Sequence, residues 1–374
     1  MEQSDVNLNW LNSSLSTIRQ EASIVGFEIE DVGIGSGFAG TVLRAALTYD
    51  ISTEAPATVI LKLPVKDEYT MEALKAQAVL LREVKFYEQL VNRVPVKVPR
   101  IYHLECNDDD YAIIMQDMGD IKRAEWLEMS VAEARPALIA LAKWHAEFWN
   151  DPVLQEAWLS PVTDANESSR QRNFEQLQRA LSILKQSKQP TEHSVTAAEK
   201  LLELFPKTPD RVPLPKPTTL THGDYHINNL HIDNNDVLVF DFQLVAEGMP
   251  SLDVANLLFT SLGKDDYEQH EESLLQLYHQ TLIDSGVRKY SFRKFKRGYA
   301  DAKFTTFLKF LVVLGTIDFN FEGGEEYQTN TIEKVELNAQ WSDAIGYSRK
   351  LPFIFFVMRL INVTRNLLGT ARTH

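Results

Sequence analysis

The chain has 374 residues, 44% of them apolar, so it is too apolar for disorder and long enough for two lobes, each with a core of its own. A formal charge of -14 argues against a protein built to track the phosphates of DNA or RNA, which needs a basic face. One cysteine, Cys106, excludes an internal disulfide framework and suits a reducing compartment.

In chain order, the opening "MEQSDVNLNWLNSSL" has neither the basic nor the apolar segment of a secretory leader, so a cytoplasmic location is expected. From Glu28, "EIEDVGIGSGFAGTVLRAALTYD" reads as two alternating runs with glycines between them, and "ATVILKLP" as a short β-branched strand. A small sheet follows from these. In "TMEALKAQAVLLREVKFYEQLVNRVP" the residues Met71, Leu74, Ala78, Leu81 and Val84 recur at helical spacing, which predicts one long amphipathic helix. "VPRIYHLECNDDDYAIIMQDMGD" then gives strand, turn and strand, an antiparallel pair.

Helices dominate the remainder. "SVAEARPALIALAKWHAEFWN" opens with a capping box, Ser130 with Glu133, with Met129 placed as a hydrophobic staple and His145 on or beside the apolar stripe as a core histidine. Residues 151–217 give two helices and a connector stiffened by prolines. "LHID" and "VLVF" about "DNND" predict a hairpin, and apolar-periodic helices run on from Leu257. "LPFIFFVMRLINV" is too short for a membrane span and carries Arg359, so it reads as a buried helix.

Three groups of residues carry chemistry. Gly35, Gly37 and Gly40 with Val42 spell G-x-G-x-x-G-x-V, where a missing Cβ lets backbone amides approach a phosphate. A dinucleotide site would need a helix after the third glycine; "TVLRAALTYD" alternates like a strand, so a strand-turn-strand flap fits better. Lys62 lies inside the apolar run "VILKLP", where a charge needs a partner; Glu83 is the best placed, with Glu72 and Glu88 less so. His222, Asp224 and Asn229 form H-x-D-x-x-x-x-N, followed after the hairpin by Asp241 and Phe242. Phosphoryl transfer uses such a set: a carboxylate for the hydroxyl proton, then Asn and a second carboxylate for magnesium. His226 and His231 match no zinc spacing and read as solvated loop or hairpin residues.

In motif order the chain resembles the protein-kinase-like superfamily in its small-molecule branch, which holds choline kinases and aminoglycoside phosphotransferases, and most of all its ecdysteroid-kinase-like (CHK-kinase-like) family. "HGDYHINN", "DFQ", "PSLDVANLL" with Asp253 and "REVKFY" carry the likeness, which extends from about residue 28 to about 350. It implies an α+β fold of two lobes: residues 1–118 with the Gly-rich flap and hinge, and the helical residues 119–374 with the catalytic loop and substrate pocket. It also implies ATP and Mg2+, with Asp224 as base, Asn229 and Asp241 as magnesium ligands, and Lys62 on the phosphates with Glu83 as its partner. His222 would brace the loop, Asp253 would be a structural brace under the catalytic loop, and Gln116 and Met118 would belong to the hinge facing adenine. Gln116 stands where the family commonly has Glu, and Gln243 where protein kinases have a flexible glycine. The expected partner is a small-molecule hydroxyl, without nucleic acid or membrane, on a monomer or weak homodimer. A non-catalytic nucleotide-binding module is the alternative. Glu322, Glu325, Glu326 and the aromatics near them could line a site for a cationic or amphipathic alcohol or form a solvated loop.

Overall fold

The computed structural model describes residues 3–32, 41–64, 79–107, 110–119, 128–160, 167–208, 214–320, 323–352 and 354. The glycines Gly35, Gly37 and Gly40 lie outside the described residues, as do Glu72, Glu322 and most of the run from Leu351. Two compact units divide the chain: Met1–Glu128 with Glu156–Leu159 and His222–Ala246, and Met129–Gln155 with Ser160–Thr221 and Glu247–His374.

In the first unit, helix α1 (Leu8–Ser14) starts at Asn7, whose side chain accepts the Trp10 N–H. An antiparallel sheet then runs in the order β1 (Ile24–Asp31), β2 (Thr41–Tyr49), β3 (Thr58–Leu63), β5 (Asp110–Gln116), β4 (Ile101–Asn107). Register places Leu43 opposite Leu61 and Ala45 opposite Val59, so alternate side chains of the central strands meet on one face with Leu11 and Leu15. Lys62 falls on the opposite face, because successive side chains alternate across a strand.

The long helix expected before β4 is only partly regular. Val79–Lys85 is α-helical (α2), Phe86–Leu90 widens into a π-turn, and Val91–Arg93 tightens into a 3₁₀ turn. The hairpin forms as predicted, with β7 (Leu230–Asp233) against β8 (Asp236–Val239) after the short β6 (Thr219–Thr221), and Asn234 supplies the left-handed turn residue at φ +56°. It belongs to the first unit through Lys97, whose N–H donates to Val237 O and whose carbonyl accepts Val239 N–H.

The second unit is helical: α3 (Val131–Glu147), α4 (Glu167–Gln186), α5 (Glu192–Leu204), α6 (Ser251–Ser261), α7 (Lys264–Asp284), α8 (Phe292–Thr316) and α9 (Gly324–Trp341). The Ser130–Glu133 capping box forms, while Met129, expected as a staple, is buried and donates its N–H to Ser261 O. Its core takes Leu177, Ala180 and Leu184 from α4, Phe307 and Leu311 from α8 and Val335 from α9. At Gly315 a Cβ would come within 1.9 Å of Gln176 O, so α8 and α4 cross at a point only glycine permits. Glu325 and Glu326, read as a solvated loop or a pocket lining, occupy the exposed first turn of α9, where the partial positive charge of a helix start suits carboxylates. Among the described residues no helix is long and apolar enough to cross a membrane.

Candidate active site

Lys62 is the centre of the first unit's polar interior. Its Nζ lies 2.6 Å from Glu83 Oε2 and 3.0 Å from Asp241 Oδ1. Burial pulls the ammonium down, but the opposite charges of Asp241 and Glu83 outweigh it and hold Lys62 above its ordinary value. It therefore stays charged throughout the neutral range. Of the three glutamates that spacing offered, Glu83 is the partner found, buried to 1% exposure on α2.

The stretch after β8 aims these groups. Asp241 adopts left-handed backbone, φ +60° and ψ +74°, a conformation that costs a non-glycine residue roughly 1–3 kcal/mol and persists only where its surroundings fix it. The fixing contact is Phe242, fully buried and stacked on Phe86 at 4.0 Å between centroids, with Tyr87 and His222 rings around it. Phe86 and Tyr87 belong to the π-turn, so its widened backbone presents the rings that hold Asp241 in place. Arg82, one residue before Glu83, donates to Val245 O at 2.9 Å and ties α2 to the same stretch.

The H-x-D-x-x-x-x-N residues form one network. His222 is wholly buried; its Nε2 donates to Phe240 O at 2.8 Å and its Nδ1 accepts the Asp224 N–H at 3.2 Å. Both ring nitrogens are thereby engaged in holding the loop. Gly223 has φ +82°, and a Cβ there would lie 2.4 Å from Leu244 O, so the motif requires glycine between His and Asp. The Asn229 amide nitrogen donates to the Asp224 carbonyl at 3.0 Å and to its carboxylate at 3.2 Å. Asn229 thus turns its nitrogen toward Asp224 and keeps its Oδ1 for another partner.

His226 corrects the sequence reading. It is not a solvated loop residue: its Nε2 donates to Asp224 Oδ2 at 3.2 Å and its Nδ1 accepts the Asn228 N–H at 3.3 Å. The signal was present in the spacing, since Asp-x-His brings a ring back to the carboxylate when a 3₁₀ turn follows, here Ile227–Asn229. His231 is exposed, as expected.

At the expected hinge, Gln116 donates its N–H to Arg100 O at 2.8 Å, and its Oε1 accepts the Arg100 N–H at 3.3 Å. Asp117 is gripped by Arg44 Nε at 2.9 Å and by the Gly119 N–H at 2.9 Å. Burial alone would raise its carboxyl, yet the Gly119 N–H and the Arg44 guanidinium hold it below its ordinary value. Sequence periodicity gave no sign of this brace from β2. In the second unit, His145 bonds Asp253 Oδ2 at 3.1 Å and Tyr278 Oη at 2.6 Å, all buried, which makes His145 the core histidine expected.

A magnesium ion fits the donors present. Among the described residues there is no cluster of three or more His, Cys, Asp or Glu able to hold a metal. Asn229 Oδ1 and the second oxygen of Asp241 are hard donors, and magnesium commonly takes one or two protein oxygens and completes its shell with phosphates and water.

Residues 34–290, more than half of the chain, match the ecdysteroid kinase-like family. Among curated proteins none matches. Similar solved structures include the gentamicin complex of APH(2'')-IIa, at 15% identity and TM-score 0.48 over 91% of this chain and 99% of that one. A putative aminoglycoside phosphotransferase from Ralstonia eutropha shows 13% identity and TM-score 0.48 over 90% and 98%. The apoenzyme of a macrolide 2'-phosphotransferase from Brachybacterium faecium shows 14% identity and TM-score 0.45 over 86% and 98%. The chain belongs to the ecdysteroid kinase-like family.

Proposed function

We propose that the protein transfers the γ-phosphate of Mg-ATP to a hydroxyl of a small metabolite, sterol-like alcohol, amino-alcohol or antibiotic. The observation that carries this reading is the position of Lys62 between Glu83 and Asp241, in the same unit as the Asp224–Asn229 network. Asp224 takes the acceptor's O–H proton as its oxygen bonds to the γ-phosphorus, and the bridging oxygen leaves with ADP. Lys62 draws off phosphate charge, and Glu83 keeps the ammonium aimed. Asn229 and Asp241 would hold magnesium, whose chemistry there would be to offset charge on the phosphates.

Residues 1–118 serve the nucleotide and the helical remainder the acceptor. Because the Gln116 N–H is spent on Arg100, Met118 is the hinge residue that offers its backbone to adenine. Gln243 in place of glycine stiffens the Asp-Phe-Gln stretch and suits a site assembled without an activation switch.

The test is transfer of labelled γ-phosphate from Mg-ATP to pooled hydroxylated metabolites, sterols, amino-alcohols and antibiotics. Asp224→Asn should cut turnover by about 10²- to 10⁴-fold, the worth of a positioned general base, with nucleotide affinity nearly unchanged. A labelled product formed equally by the mutant refutes Asp224 as the base. Nucleotide binding with no transfer to any acceptor, cell extract included, refutes the kinase reading.

A further inference from the structure

We infer that the helical unit carries a binding site for small phosphomonoesters, formed where Trp149, Lys216, Arg288, Lys289, Tyr290 and Lys294 line one cavity of about 210 Å³. The chain is acidic overall at -14, yet Arg288, Lys289, Arg293, Lys294, Lys296 and Arg297 crowd the ten residues 288–297, and no Asp or Glu stands between Asp284 and Asp301. Like charges gathered this closely repel one another unless something of opposite sign sits among them. Lys216 has such a partner, Glu247 Oε1 at 2.7 Å, and Lys296 has Glu272 at 2.6 Å. Among the described residues no ion pair engages Arg288, Lys289 or Lys294, three of the four cations on the cavity.

The cavity is more than a basic patch. Three stretches far apart in sequence converge on it, and one wall is fixed by Asn150, whose N–H donates to Thr218 O at 2.8 Å and whose Oδ1 accepts the Thr218 N–H at 3.2 Å. Trp149 and Tyr290 pack edge to face at 4.9 Å on one side of the cavity. The Tyr290 carbonyl is held by His279 Nε2 at 2.8 Å, so this aromatic wall is anchored from behind. Lys294 lies in the first turn of α8 with its ammonium 5.9 Å from the Tyr290 ring centre.

A guanidinium fork with two or three ammoniums matches a dianionic phosphate, and the paired rings match a flat or apolar body attached to it. The volume lies below the roughly 300–1,000 Å³ of pockets for drug-sized ligands, which suits a phosphate with a single ring. Phosphomonoesters are also what an alcohol phosphotransferase releases, so the protein's own product class has the right chemistry for this site.

Calorimetric titration of the full chain with phenyl phosphate, inorganic phosphate and phenol tests the inference. Phenyl phosphate should bind with a dissociation constant of about 1 mM or tighter, inorganic phosphate about tenfold more weakly, and phenol not measurably. Arg288→Ser with Lys294→Ser should weaken phenyl phosphate at least tenfold and Arg288→Lys much less, while Mg-ATP affinity stays unchanged in both. These side chains are exposed, so the variants keep the fold. Three results overturn the proposal: no phenyl phosphate heat at millimolar ligand, equal binding by the variants, or complete displacement of phenyl phosphate by ADP, which would place it in the nucleotide site.

Discussion

His226 shows how one side chain changes the reading of a motif. Its Nε2 donates to the carboxylate proposed as the base, and the Asn229 amide donates to the same oxygen, so two donors fix where Asp224 points. A side chain that only aims the base acts on turnover and not on nucleotide binding. His226→Ala should therefore lower kcat by roughly 10-fold or more with KM for Mg-ATP nearly unchanged, and His226→Asn, which keeps a donor, should recover part of the loss. Steady-state kinetics on the three proteins decide it; a rise in KM with kcat intact would assign His226 to binding instead. Asp241 makes the complementary case. Asparagine tolerates left-handed backbone about as well as aspartate, so Asp241→Asn removes a charge and half of Lys62's pairing without straining the turn.

At the scale of elements, helices in this protein are held at their ends by specific partners. Glu336 of α9 accepts from Ser194 N at 2.9 Å, Ser194 Oγ at 2.7 Å and His193 Nδ1 at 2.8 Å, and so caps the start of α5 from a neighbouring helix. Burial would raise the Glu336 carboxyl, but the Ser194 N–H and hydroxyl, with Gln340 and His193, hold it below its ordinary value. A carboxyl depressed in the folded state binds fewer protons there than in the unfolded chain. Its contribution is therefore present in full above the unfolded value and is lost as pH falls through the depressed folded value. Glu336→Gln should cost about 1–3 kcal/mol in urea unfolding at pH 7, and the gap between mutant and wild type should narrow below about pH 4. A gap independent of pH would show that shape, not charge, makes the cap. The π-turn at Phe86–Leu90 belongs to the same scale: periodicity predicted a helix through these residues, and the stacking of Phe86 on Phe242 goes with a locally wider turn.

For the whole molecule, ligand linkage gives the broadest check. At about 100 times its dissociation constant, Mg-ATP should add about 2.7 kcal/mol to the stability of the wild type, seen as a rise in Tm. Asp241→Asn should lose most of that rise, and unfolding that ignores Mg-ATP in the wild type would contradict the nucleotide assignment. The sequence by itself determined the kind and order of elements, because side-chain period, capping residues and turn residues act between covalent neighbours. The sheet read from Glu28, the capping box at Ser130, the hairpin about Asn234 and the H-x-D-x-x-x-x-N motif were all legible on that ground. What only the tertiary structure decided are choices among partners remote in the chain. Lys62 meets Glu83 and also Asp241, Arg44 grips Asp117, Glu336 caps α5, and Arg288, Lys289 and Lys294 gather around Trp149 and Tyr290. Spacing along a chain fixes which face a residue occupies; which charges then come within 3 Å of each other is fixed only when separate elements pack.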